Sequence, residues 1–151
     1  SMYNAFSIES GGEYPNDWTH MNDVEMIQDA NLINDTIFML SPRNHDQVIF
    51  VSRDEGLYTN LTIGEDDNYQ VMYEQHNPDY IHSERGGPAV IIADSQNNRI
   101  IEYQMENNNW SKSWEYSDSK MRWPRDADRL PNCNTLIADS NSDRVLEINQ
   151  S

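Results

Sequence analysis

Two histidines carry most of the chemistry this sequence offers. His20 and His76 each stand three residues before an aspartate, in Asp17-Trp18-Thr19-His20-Met21-Asn22-Asp23 and Glu74-Gln75-His76-Asn77-Pro78-Asp79. Imidazole changes charge near neutrality and can give, take or replace a proton, so two histidines at matched places make a candidate site. The corresponding place in a third segment holds Trp123, so the architecture does not itself demand histidine. Other titratable groups offer less. Asp94 with Arg99, and Asp139 with Arg144, flank a polar turn. This pairing reads as a hydrogen-bonded clamp on the turn rather than a ligand contact. The acidic run Glu65-Asp66-Asp67-Asn68 lacks the glycine and later glutamate of a calcium loop and reads as solvated. There is no phosphate-cradling glycine loop, nucleophile elbow or zinc motif. Cys133 is the single cysteine, which excludes an intrachain disulfide and a thiolate metal site. No cofactor and no metal are expected.

The elements that position these residues repeat. Gly87-Pro88-Ala89-Val90-Ile91-Ile92-Ala93-Asp94-Ser95-Gln96-Asn97-Asn98-Arg99-Ile100-Ile101-Glu102-Tyr103 returns as Asn134-Thr135-Leu136-Ile137-Ala138-Asp139-Ser140-Asn141-Ser142-Asp143-Arg144-Val145-Leu146-Glu147-Ile148. A looser copy spans Asp35 to Val51, without the Asp and the late Arg. Each copy reads as apolar strand, polar turn, apolar strand, with Asn, Asp, Ser and Gly in the gaps where tight turns need them. Four short strands per unit of roughly 40–50 residues is the pattern of a β-propeller blade.

The fold class is therefore all-β, as a single half-propeller over 1–151. Blade 1 covers about 17–70, with strands at Val24–Ile27, Thr36–Leu40, Gln47–Ser52 and Tyr58–Ile63. Blade 2 covers about 71–121, with strands at Pro78–Ile81, Ala89–Ala93, Arg99–Gln104 and Ser113–Tyr116. Blade 3 covers about 122–151, with strands at Ala127–Leu130, Asn134–Ala138 and Arg144–Asn149. Its fourth strand is expected from Tyr3–Glu9. The Val24–Ile33 stretch is read as strand and loop, because Asn31 and Asn34 interrupt any helical period. Trp18, Trp110, Trp114 and Trp123 are expected to pack between blades. Three blades do not close a ring, so the expected partner is a second copy, giving six blades as a homodimer with each Tyr3–Glu9 strand completing the other subunit's last blade.

The 151 residues include 26 acidic and 10 basic side chains, a formal net charge of -16, and only two lysines, Lys112 and Lys120. Nucleic acid is excluded as a partner, because phosphate backbones are bound by clustered Lys and Arg. Acidity this dense is tolerable when salt screens it, which points to a halophilic source. No apolar run is long enough for a membrane-spanning helix and no signal peptide is visible. The expectation is a soluble protein of the cytoplasm in a high-salt organism. Ser1 reads as an addition before a native Met2.

Several segments together resemble one family. Asp17-Trp18-Thr19-His20-Met21-Asn22, Asp35-Thr36-Ile37 running to Ser41-Pro42-Arg43, Val48 to Asp54, and Ile63-Gly64 resemble the arylsulfotransferase family of β-propellers. Glu74-Gln75-His76 is similar to that family's later Gln-His segment, and Trp123 to Asn132 to its haloarchaeal versions. The likeness runs over nearly all of the chain and about half of a family member. It implies a six-bladed fold and transfer of sulfate from a phenolic sulfate ester to a phenol, without a nucleotide donor, through a transiently sulfated histidine. On this likeness His76 matches the sulfate-accepting histidine, and His20, Asn22 and Arg43 match residues that hold the sulfuryl oxygens. An imidazole nucleophile with an arginine fork beside it suits that reaction. The chain departs from the pattern in lacking a further histidine from an earlier blade, and in having Cys133 where haloarchaeal relatives have a turn glycine. The other reading is a non-catalytic propeller module that binds a partner or small anion, or an inactive remnant of a longer propeller gene.

Overall fold

The computed structural model describes residues 17–64 and 70–150. The expected strand Tyr3–Glu9 and the acidic run Glu65–Asn68 lie outside them. The described residues form three antiparallel sheets and no α-helix. The first sheet runs β1 (Met21–Gln28), β2 (Thr36–Pro42), β3 (Gln47–Ser52), β4 (Gly56–Leu57), with β5 (Ile63–Gly64) also paired to β3. The second runs β6 (His76–Ile81), β7 (Ala89–Asp94), β8 (Arg99–Glu106), β9 (Asn109–Tyr116). The third runs β10 (Pro124–Arg129), β11 (Thr135–Asp139), β12 (Arg144–Ile148). The first strands of the three sheets, β1, β6 and β10, pack side by side and are the inner strands below. Among the described residues no helix is long and apolar enough to cross a membrane.

The repeat-based strand positions hold, with most strands running one to four residues further than the apolar cores alone suggest. The outer strand expected at Tyr58–Ile63 is a correction. Ser52 Oγ accepts from the Asp54 and Glu55 N–H groups, forming a tight turn that starts the return strand at Gly56. Val51 then faces Leu57, but Val48 faces Ile63, so six residues answer three. A 3-10 turn at Thr59–Leu61 takes up the excess and splits the strand in two. The first sheet therefore has five strands where four were expected, and the third shows, among the described residues, the three strands expected of 122–151.

Period-two alternation gives each sheet two faces, and the apolar faces meet between sheets. Ile37, Met39, Val48 and Phe50 of the first sheet pack on Tyr80, Val90, Ile92 and Ile101 of the second. The opposite face of the second, Ala89, Ile91, Ala93 and Ile100, packs on Ala127 and Ile137 of the third. Burial of each such branched side chain is worth about 1.5–3 kcal/mol against exposure. Trp110 stacks on Phe50 at 5.7 Å and its indole N–H donates to Leu61 O, joining two sheets as expected. Trp114 packs against the second core under the Arg129 guanidinium. Arg129 is itself buried and bonded to buried Glu102 across the same joint. Trp123 also stands between units, against His76 of the second sheet at the candidate site, whereas Trp18 is 37% exposed.

The two Asp/Arg pairs are clamps, as their spacing predicts. Asp94 and Asp139 are fully buried, and each accepts from the residue that leads into an inner strand, Tyr73 N–H and Arg122 N–H, both at 2.8 Å. Arg99 Nε binds Asp94 at 2.6 Å, and Arg144 binds Asp139 at 2.6 Å. Arg99 also donates to the carbonyls of Gln70 and Val71, and Arg144 to Asp118, so each pair holds the segment leading inward. The first sheet has Pro42 and Gln47 at these places and no such clamp.

Cys133 has a φ of 68°, in the left-handed region that glycine adopts without strain. Two outcomes follow from these local structures. Asp94→Ala leaves the Tyr73 N–H without a partner and takes from Arg99 its buried carboxylate, leaving it the more exposed Glu115, and lowers stability by about 3 kcal/mol, measured by denaturant unfolding in molar potassium chloride. Cys133→Gly relieves the left-handed strain and raises the unfolding midpoint, by up to about 1 kcal/mol in stability.

Candidate functional site

The repeated hydrogen bonds set the register of the three sheets. The N–H groups of Asn44, Gln96 and Asn141 donate to the carbonyls of Thr19, Tyr73 and Arg122 at 3.1, 3.2 and 3.1 Å. The residue after each carbonyl, His20, Glu74 and Trp123, has a left-handed φ of 43°, 49° and 52°. Further along, Glu25, Asp79 and Asp128 face Met39, Ile91 and Leu136. The counterpart of His20 is therefore Glu74, not His76, and aligning Asp23 with Asp79 is two residues out. The positions equivalent to His76 are Asn22 and Arg125.

In this register the four residues singled out by the sequence come together at the leading ends of the inner strands. Asn22 Nδ2 donates to Gln75 O at 2.7 Å, beside His76. Arg43 Nη2 binds Glu74 at 2.7 Å, and its own N–H donates to His20 O. His20 Nδ1 is bonded to Asp17. Three partners escaped the sequence reading. Arg125 was hidden by the register error, Trp123 was assigned to packing, and Ser95 stands in the polar turn beside Asp94. Trp123 lies 6.1 Å from His76 between centroids, and the Arg43 and Arg125 guanidinium carbons each stand 6.0 Å from its ring.

His76 is 4% exposed and its tautomer is fixed by its neighbours. Ser95 Oγ spends its proton on Pro124 O at 2.6 Å, so toward His76 Nδ1, 2.8 Å away, it accepts. Glu74 O, 3.1 Å from the same nitrogen, can only accept. Nδ1 therefore carries the proton and Nε2 keeps its lone pair, which bonds to nothing among the described residues. Burial first, then the charges of Arg125 and Arg43, push the His76 pKa down to about 4. The ring is neutral at pH 7. Two atoms nearby are buried and unspent among the described residues, Arg43 Nε and Asn22 Oδ1.

Beyond the cationic end the inner strands turn acidic. Glu25, Asp79 and Asp128 occupy one level, and Asp23 and Asp126 stand nearer the site. Burial, reinforced by the Asp79 and Asp23 charges, lifts Glu25 to about 7, against an opposing hydrogen bond from Tyr80 N–H. Burial and the Asp128 charge lift Asp79 to about 6. The charges that bear on His76 are thus positive, and those that bear on Glu25 and Asp79 behind it are mainly negative. Among the described residues no group of acidic, His and Cys side chains could hold a metal ion.

No protein-family model matches the chain, and no curated protein matches it. The class defined by fold and site is an all-β protein of three blade-like sheets with a cationic, histidine-bearing end.

The electrostatics make a direct test. In an NMR titration His76 is expected to stay neutral down to about pH 4, with Nδ1 protonated. Arg125→Gln removes a repelling charge from the imidazolium and moves the value upward, by about one unit.

Proposed function

We propose that the chain transfers sulfate from a phenolic sulfate ester to a phenol, with His76 as the nucleophile. The observation that carries this reading is the neutral imidazole with Nδ1 protonated and Nε2 unspent, beside two guanidinium groups. In the first step Nε2 attacks sulfur, an N–S bond forms, the S–O(aryl) bond breaks, and phenolate leaves with the electron pair. The Nδ1 proton stays in place, and its bonds to Ser95 Oγ and Glu74 O strengthen as the ring gains positive character. Arg125 and Arg43 stabilise the charge on the transferring oxygens, with His20 and Asn22 as further ligands. In the second step a phenol oxygen attacks sulfur, the N–S bond breaks, and the phenol proton passes to solvent. Ser95 is a positioning residue, because it holds the ring and touches no substrate.

A second reading is a site that holds a small anion without reacting. The observation favouring it is the Arg43–Glu74 ion pair at 2.7 Å, which spends one of the two guanidinium charges and leaves less to stabilise the charge that grows during transfer, while Arg125 remains to hold an anion.

The test is release of nitrophenolate from 4-nitrophenyl sulfate with phenol as acceptor, in molar potassium chloride. Turnover is expected, along with a sulfated His76 peptide by mass spectrometry. His76→Asn is expected to fall to background and Arg125→Gln by about 10²-fold. The rate should hold from pH 7 down to 5 and fall as pH drops through about 4, because protonating Nε2 removes the attacking lone pair. Sulfate binding without nitrophenolate release leaves the second reading in place of the first.

A further inference from the structure

The sheets are joined by a hydrogen bond that occurs twice and stands half-made at both ends of the array. The polar turn of the first sheet ends in Asp46, with a left-handed φ of 51°, and Asp46 Oδ1 accepts from Glu74 N–H at 2.7 Å. The turn of the second ends in Asn98, φ 54°, and Asn98 Oδ1 accepts from Trp123 N–H at 2.9 Å. The turn of the third ends in Asp143, φ 51°. Asp143 is exposed and its carboxylate bonds to nothing among the described residues. The matching donor at the other end is His20 N–H, φ 43°, which likewise donates to nothing among the described residues.

A second repeated contact has the same two loose ends. Ser95 Oγ donates to Pro124 O across the second joint. Its counterpart on the third sheet, Ser140, is exposed, and the counterpart of Pro124 on the first sheet is Met21, 41% exposed. The apolar surface repeats the pattern. Ile91, Ala93 and Ile100, which cover the third sheet, correspond to Leu136, Ala138 and Val145, and Val145 is 70% exposed. The inner-strand residues that receive such a face, Pro78 and Tyr80 in β6 and Ala127 and Arg129 in β10, correspond to Val24 and Met26 in β1. Those two are 62% and 59% exposed. The large apolar side chains left exposed among the described residues lie on the first or third sheet, except Trp18, which stands just ahead of β1.

We infer that a second copy of this chain seats its first sheet on the third sheet of the first copy, with Asp143 accepting from the partner copy's His20 N–H and Val145 covering its Val24 and Met26. The surfaces on offer continue an interface already made twice within the chain, so the occupant they fit is another copy of the same repeat. The relation is reciprocal: two copies satisfy both loose ends and make six sheets, within the roughly four to eight of closed propellers, while one or three copies fall outside that range. Each joint places Asp143 of one copy against the His20 backbone of the other, at the edge of the candidate site. The inference does not depend on sulfate transfer.

The test is solution mass by light scattering in molar potassium chloride with reductant, for the wild type and for Val145→Asp and Val24→Asp. The wild type is expected at twice the chain mass and each variant at the mass of one chain. Unchanged far-ultraviolet circular dichroism shows that the variants fold, as substitution at such exposed positions should allow. A wild type that stays monomeric overturns the inference, as does mass that grows with concentration into open chains. A dimer that survives both substitutions overturns it too, because it must be held by another surface.

Discussion

Everything at the candidate site hangs on where two buried carboxylates send their oxygens. Asp94 and Asp139 each spend one oxygen on the backbone N–H that leads into an inner strand and the other on an arginine. A buried carboxylate without such partners would be costly, so the arrangement is cooperative. The arginine tolerates burial of the acid, and the acid fixes the backbone. Burial still raises the Asp94 carboxyl, against the opposing bonds from Asn97, Tyr73 and Arg99. The fixed backbone aims the next residues, Glu74 to His76 in one sheet and Trp123 to Arg125 in the other. The first sheet lacks the clamp and is tied to the second instead. Buried Asp29 accepts from Tyr80 Oη and from the Ser83 N–H and hydroxyl, and Glu25 accepts from Tyr80 N–H.

The site is a small cationic place in a chain with a net charge of -16. Its effect is local, because screening in salt confines long-range attraction to about a nanometre or less. What matters at that range is which groups are desolvated. His76 is buried and surrounded by positive charge, so it remains a neutral base-like ring; Glu25 and Asp79 are buried among negative charge, so they hold protons far above the usual carboxylate range. Burial first, and then opposite fields a few residues apart on the same strands, drive both kinds of group toward the uncharged state.

Much of the fold was legible because the polar turns are short and the apolar runs alternate with them. The second sheet could be read almost residue by residue from Ala89 to Gln104, while the first half of its last strand, Asn109 to Lys112, was missed. The split of the first sheet's outer strand could not, because it depends on Ser52 setting the hairpin and on three surplus residues being stored in a turn. The site was half legible. His76 and His20 stood out by type, Asn22 and Arg43 only through the family resemblance, and the four do gather, but the repeats were set two residues out of register by matching Asp23 to Asp79. Sequence offers no correction, since Glu25 and Asp23 are equally plausible matches. Only the paired register of β1 with β2 and β6 with β7 decides between them, and it brings in Arg125. Ser95 was invisible for a different reason: its role rests on the direction of one hydroxyl proton.

The joint between sheets grips a main-chain N–H, that of Glu74 ahead of the second sheet and that of Trp123 ahead of the third, while the equivalent position ahead of the first sheet holds His20. It is indifferent to the side chain there, provided the residue accepts a left-handed backbone. Across the three segments that position carries an acid, an indole and an imidazole at the edge of one shared space. The repeats can thereby differ at the candidate site while the masonry between them is the same.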